Sequence, residues 1–325
     1  MATQSDRRGY QAHEETYLDF ASYNDSASTT IILIHGVSAS GSDWSLVQPY
    51  LCTYHLLTPS LFTKHSLKLA RSLRESAPGS NGHPPQLSWQ ASYVVLMAAL
   101  IRRCAKNGKA HIVGLSLGGN FAMALAAAHP DLSLSLFVSG LPRLISNAPA
   151  LALPLVKHGI WASQRLIEML PSTTHRKLLD GEVDADPGGS DGVGGKTSLE
   201  EVQIVVETVT GGYPVPTFEM TERSDTSEPS FRARVVAATR SKWFMLTTES
   251  STWAIEAGSK FAGRPGNKDL ADYEGSGCVD LKVFEAKRMF HPWNRQDPEL
   301  FAKSIIATVE GLDFPAGDMR EVLAS

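Results

Sequence analysis

The segment "AHIVGLSLGGNFAMALAAAHP", Ala110 to Pro130, constrains the chain more than any other. It reads as a short buried strand, a serine set between glycines, and an alanine-rich helix closed by proline. A chain that passes from strand to helix over one residue must turn through backbone geometry that most side chains avoid, and small neighbours relieve the crowding. Gly114-Leu115-Ser116-Leu117-Gly118 has the pattern of a nucleophile elbow, in which the serine hydroxyl is lifted out at the carboxyl end of a sheet. The bland alternative, a flexible turn, lacks the strand before it and the helix after it that this sequence supplies.

Other segments predict the same architecture. "TTIILIHG" (Thr29–Gly36), "LSLSLFVSG" (Leu132–Gly140), "ARVVAAT" (Ala233–Thr239) and "VDLKVFEA" (Val279–Ala286) read as strands, rich in β-branched residues and bounded by turn signals. "SWQASYVVLMAALIRRC" predicts a helix capped by Ser88, and "DPELFAKSIIATVEGL" a terminal one. Strands alternating with helices predict an α/β fold, a mostly parallel sheet covered on both faces. The pattern changes after Pro142: the apolar segments "ALALPLVKHGIWASQRLIEML" and "SLEEVQIVVETV" flank the Gly- and Asp-rich "LDGEVDADPGGSDGVGGKT". Residues 1–141 and 231–325 are therefore expected to form the core, and 142–230 an inserted helical cap with a loop whose acidic spacing does not match an EF-hand.

A net charge of −4 argues against a nucleic-acid binder. The longest apolar run, "YVVLMAALI", is too short to span a bilayer, and the first fifteen residues have no apolar signal core. Cys52, Cys104 and Cys278 have no paired spacing, so neither a disulfide framework nor a zinc site is expected. A cytoplasmic protein that takes a small molecule, with no metal, follows as the expectation.

A serine hydroxyl needs a base to remove its proton. Of the ten histidines, only His129, His158, His175 and His291 lie beyond Ser116; His129 ends the elbow helix, and His158 and His175 fall in the insertion. His291 follows the last core strand and is the expected base. The expected oxyanion donors are the N–H groups of Leu117 and of Val37, which follows the first strand. His35, beside it, is expected to order that loop. Trp44 walls the pocket or belongs to the core; Trp161 of the insertion and Trp293 are further candidates for substrate contact. The orienting acid is expected after a strand that precedes the histidine. Glu249 fits best by placement, with Asp272 and Asp280 as rivals.

These residues resemble the α/β-hydrolase superfamily, in particular single-chain members with a helical cap. "ILIHGVSASGSDW", "GLSLGGNFAMALAAAHPD" and "HPWNRQDPELF" resemble its oxyanion loop, elbow and histidine segment, the last in a form similar to fungal-type hydrolases. One stretch departs: the family usually carries Pro-Asp-x-x-Gly-x-Gly after the second core strand, where this chain has "TPSLFTKHS". The resemblance implies a cofactor-free serine hydrolase acting on a carboxylic ester or thioester with an apolar part. The same triad also serves carbon–carbon hydrolases, lactonases and lyases, and some proteins with this fold bind ligands without catalysis.

Overall fold

The computed structural model describes residues 17–37, 39–76, 87–141, 199–210, 231–238, 242–243, 247–248, 255, 279–289 and 291–323. Its strands are β1 (Asp19–Tyr23), β2 (Thr30–Ile34), β3 (His55–Ser60), β4 (Ala110–Leu115), β5 (Ser133–Ser139), β6 (Phe231–Ala238), β7 (Lys242–Trp243), β8 (Thr247–Thr248), β9 (Val279–Ala286) and β10 (Met319–Leu323). The helices are α1 (Lys64–Ser76), α2 (Trp89–Cys104), α3 (Leu117–Ala128), α4 (Leu199–Thr210), α5 (Trp293–Gln296) and α6 (Pro298–Glu310).

Eight strands form one sheet in the order β1-β3-β2-β4-β5-β6-β9-β10. The neighbours from β3 through β9 are parallel, and β1 and β10 close the two edges antiparallel. The pleat sorts the apolar side chains between two layers. Ile32, Ile34, Leu136 and Val138 join the layer formed with α1–α4, whereas Ile31, Leu33 and Phe137 join the layer beneath α6. Residues 31–34 are all fully buried, and each such side chain contributes about 1.5–3 kcal/mol relative to exposure. A central parallel strand covered on both faces is therefore continuously apolar, as "TIILI" is.

The helix ends follow their sequences. Ser88 Oγ accepts the Ala91 N–H at 3.0 Å and starts α2. Asp297 does the same for Leu300 at 2.9 Å, ahead of Pro298, and α6 stops at Gly311 in the left-handed region (φ 76°). Helix α4 lies within the stretch expected to form the cap, yet its Ile204 is fully buried in the α1–α3 layer. Its Glu200 pairs with Arg71 at 2.7 Å, and its Glu207 accepts the backbone N–H of Trp89 at 2.7 Å, at the positive end of α2. The rest of that stretch, including Trp161, lies outside the described residues. No helix among the described residues is long and apolar enough to cross a membrane.

Candidate active site

Ser116 sits between β4 and α3 with φ 58° and ψ −127°, a conformation that costs of order 1–3 kcal/mol and persists only where the surroundings hold it. Two backbone bonds do so. Its N–H donates to the Ser139 carbonyl at the end of β5, and its own carbonyl accepts the Gly119 N–H, each at 2.8 Å. Although Ser116 occupies the N-cap position of α3, its side chain makes no cap hydrogen bond. The hydroxyl is thus not spent on the helix.

The start of α3 is wedged beneath the end of β2. A Cβ at Gly118 would fall 2.2 Å from the Ile34 carbonyl oxygen, so only glycine lets the helix approach this closely. On the other side, a Cβ at Gly36 would lie 3.0 Å from Ser116 Cβ and 3.5 Å from its Oγ. The loop that carries Val37 therefore runs directly past the serine, and Leu117 begins the helix at which the hydroxyl sits.

His35 stabilises that loop. The Leu61 N–H donates to its Nε2 at 2.9 Å, so Nε2 carries no proton, and Nδ1–H donates to the Gly36 carbonyl at 2.7 Å. Burial pushes its pKa below the usual histidine value, against the pull of that carbonyl and of Asp43. Both ring nitrogens are engaged and the ring is neutral, so His35 orders the loop, as its position suggested, and has no lone pair for the serine.

The histidine loop arrives from the other side of β5. His291 is partly exposed between β9 and α5. The Trp293 indole donates to Ser139 Oγ at 2.8 Å, and Gln296 Nε2 donates to the Arg288 carbonyl at 3.1 Å, closing the loop on itself. Ser139 thus receives Ser116 through its carbonyl and the His291 segment through its hydroxyl.

Of the two readings of Trp44 the structure has the core, and Trp293, a candidate for substrate contact, joins it there. Trp44 and Trp293 are both fully buried under the α6 side of the sheet, with Phe301 5.8 Å from the first and 4.5 Å from the second, centroid to centroid. They pack with Phe301 in the core cluster on the α6 side of the sheet. Of the acids, Glu249 immediately follows β8 and, with Asp272, lies outside the described residues. Asp280 is excluded. It stands at the amino end of β9, about 20 Å along the strand from the end that leads to His291, and binds Arg234 at 2.7 Å.

Sequence reading missed a polar link between the two site loops. Arg295 donates through Nε to Asp43 Oδ1 at 2.8 Å and through Nη2 to the same oxygen, while Asn294 Nδ2 lies 3.3 Å from both Asp43 Oδ2 and the Asp43 carbonyl. Both partners stand in segments singled out for the site, "GSDW" and "HPWNRQD", but nothing in the sequence pairs them.

A parallel sheet with antiparallel edges, a strained serine between strand and helix, and a late histidine loop beside it define the class. The model of the alpha/beta hydrolase family matches residues 31–304, and the chain belongs to that family. It is 28% identical over 305 residues to an AB hydrolase superfamily protein of Gibberella zeae, covering 93% of this chain and 87% of that one. Among solved structures it is similar to a Mycobacterium tuberculosis protein assigned to the non-heme bromoperoxidases, at 14% identity and a TM-score of 0.57 over 93% of this chain and 100% of that one. It is also similar to an esterase from a marine microorganism, at 15% identity and a TM-score of 0.52 over 90% and 99%. At such identities these structures speak for the fold.

Proposed function

We propose that this α/β-hydrolase is a serine hydrolase of carboxylic esters or thioesters with an apolar part. The observation that carries the reading is Ser116: a residue held at φ 58° whose hydroxyl makes no cap bond, beside the loop of Val37. The esterase among its structural neighbours agrees with the reading.

In the proposed reaction Ser116 Oγ attacks the carbonyl carbon while His291 takes its proton. The developing oxyanion accepts hydrogen bonds from the Val37 and Leu117 N–H groups. Collapse of the tetrahedral species breaks the bond to the alcohol or thiol, which leaves with the proton held by His291. Water, deprotonated by the same histidine, then releases the acid and regenerates Ser116. Glu249 orients the imidazole and compensates its charge. The chemistry requires no cofactor. Residues 142–230, with Trp161, supply the acyl-side selectivity, and three cysteines without paired spacing favour a reducing compartment such as the cytoplasm.

The test is labelling with a fluorophosphonate, followed by turnover of p-nitrophenyl esters of increasing acyl length. Wild type is expected to label and turn over, and Ser116→Ala to do neither while retaining its circular dichroism spectrum. A wild type that resists the probe and leaves every ester intact overturns the reading. Cleavage of β-diketones with esters untouched would replace it by carbon–carbon hydrolysis at the same serine.

A further inference from the structure

Two loops that are remote in sequence must keep a fixed separation if one is to hold an oxyanion and the other a base. Residues 36–44 enter the site from β2, and residues 287–296 enter it from β9. The sheet alone sets their strands four positions apart, β2-β4-β5-β6-β9, and leaves the loops themselves to other contacts. One direct polar contact joins them in the described residues: Asp43 with Arg295 and Asn294, across 251 and 252 positions of sequence.

The chemistry of this contact differs from that of an ordinary surface ion pair. The Asp43 side chain is only 7% exposed, whereas that of Arg295 is 41% exposed. A nearly buried carboxylate requires directed donors on both oxygens, and it has them: two guanidinium N–H groups on Oδ1 and the Asn294 amide on Oδ2. Asp43 itself is fixed from the oxyanion side. It lies in the 3₁₀ turn Gly41–Trp44, capped by Ser40, and the turn is tied to β3 by the Gly41 N–H, which donates to Ser60 Oγ at 3.0 Å. The carboxylate also acts on the buried His35 ring. Asn294 and Arg295 are three and four residues past His291, on α5, whose Trp293 is pinned to Ser139.

We propose that Asp43 is a positioning residue: gripped by Arg295 and Asn294, it locks the loop of the Val37 oxyanion donor against the loop of His291. This rests on the Ser116–His291 reading above. Asp43 touches neither substrate nor the reacting atoms. Its role is to hold two catalytic groups at a common separation, and a displacement of about 1 Å in such groups costs up to about 100-fold in rate. The removal of either partner is expected to be unequal in effect. Without Asp43, a guanidinium that is 41% exposed loses one partner; without Arg295, a nearly buried carboxylate keeps only the Asn294 amide.

The experiment compares wild type with Asp43→Asn, Asp43→Ala, Arg295→Ala and the Asp43→Ala/Arg295→Ala double variant. Each is measured for kcat and KM on the best p-nitrophenyl ester, for the rate of fluorophosphonate labelling, and for amide hydrogen exchange over residues 36–44. The expected result is a fall in kcat and in labelling rate of about 10- to 100-fold for Arg295→Ala, with KM within about threefold, and faster exchange in 36–44 although the substituted residue lies on α5. Asp43→Asn, which keeps an acceptor, is expected to retain more activity than Asp43→Ala, and the double variant to be no worse than Arg295→Ala alone. Asp43→Asn also provides the measurement if Asp43→Ala does not fold. A labelled, active wild type whose variants match it in kcat overturns this proposal alone, as does unchanged exchange in 36–44 on Arg295→Ala. A wild type that is neither labelled nor active overturns the hydrolase reading, and this proposal with it.

Discussion

The Trp293 indole N–H donates to the Ser139 hydroxyl at 2.8 Å, deep under the carboxyl end of the sheet. The same serine holds Ser116 through its carbonyl, so the nucleophile strand and the histidine loop share one anchor. Ser139→Ala is expected to leave a buried indole N–H unpaired and to cost about 1–3 kcal/mol in urea unfolding. Trp293→Phe in that background is expected to recover part of the loss, because it removes the orphaned donor. Equal stability of wild type and Ser139→Ala would show that the bond carries no weight.

At Gly118 the methyl of alanine would have to occupy space 2.2 Å from one carbonyl oxygen and 2.5 Å from the next, those of Ile34 and His35. Neither belongs to a flexible side chain, so β2 and α3 must separate. Gly118→Ala is expected to destabilise the fold by more than about 3 kcal/mol and to lose labelling at Ser116 even where soluble protein is recovered. Thermal melts together with probe labelling check this.

The orienting acid is open to a direct comparison. Glu249→Gln is expected to lower kcat by up to about 10⁴-fold with KM little changed, as loss of the acid does in a serine triad. Asp280→Asn is expected to keep wild-type turnover but lose stability, since it weakens the charged partner of Arg234, whose side chain is only 5% exposed. Asp272→Asn completes the set. A collapse at Asp272 with Glu249→Gln unaffected would move the acid to that residue.

His111 gives the fold an acid limit. It lies on β4 with Nδ1 2.8 Å from Ser135 Oγ, and burial, then the charge of Arg232, lowers its pKa to about 4. The unfolded chain takes up a proton near pH 6.5 and the folded one near pH 4, so stability is full above about pH 6.5 and falls between these values as the pH drops. The loss is of order 3 kcal/mol once pH 4 is reached. His111→Gln, which keeps a hydrogen-bonding partner for Ser135, is expected to flatten the melting temperature between pH 6.5 and 4; an unchanged slope would exclude His111 as its cause.

Much of this fold was legible because its central strands are buried on both faces and their helices carry caps. β2, β4, β5, β6 and β9 fall on the apolar runs, and Ser88 and Asp297 start the helices that their positions announce. The edges were not legible. β1 ("DFASY") and β10 ("MREVL") are short and half-covered, so neither gives a continuous run, and α1 buries only Ser66 and Ala70 along its length. The strained turn at Ser116 and the loop-ordering place of His35 were readable from local sequence. For Trp44 and Trp293 the sequence could not choose between pocket and core, because an aromatic ring beside a pocket and one buried in the core have the same local sequence. The Asp43–Arg295 contact depends on tertiary proximity that no spacing encodes.

The sequence excursion between β5 and β6, residues 140–230, joins two neighbouring strands, in which Ser135 to Ser139 pair in register with Arg232 to Val236. The two sides of that excursion are stitched to each other by the sheet itself, and the cost of closing a connection grows only slowly with its length. The register that aims Ser116 is therefore held on both flanks, and within the excursion α4 is the part that cannot be exchanged freely, because its Ile204 is fully buried in the core and its Glu207 holds the Trp89 N–H at the start of α2.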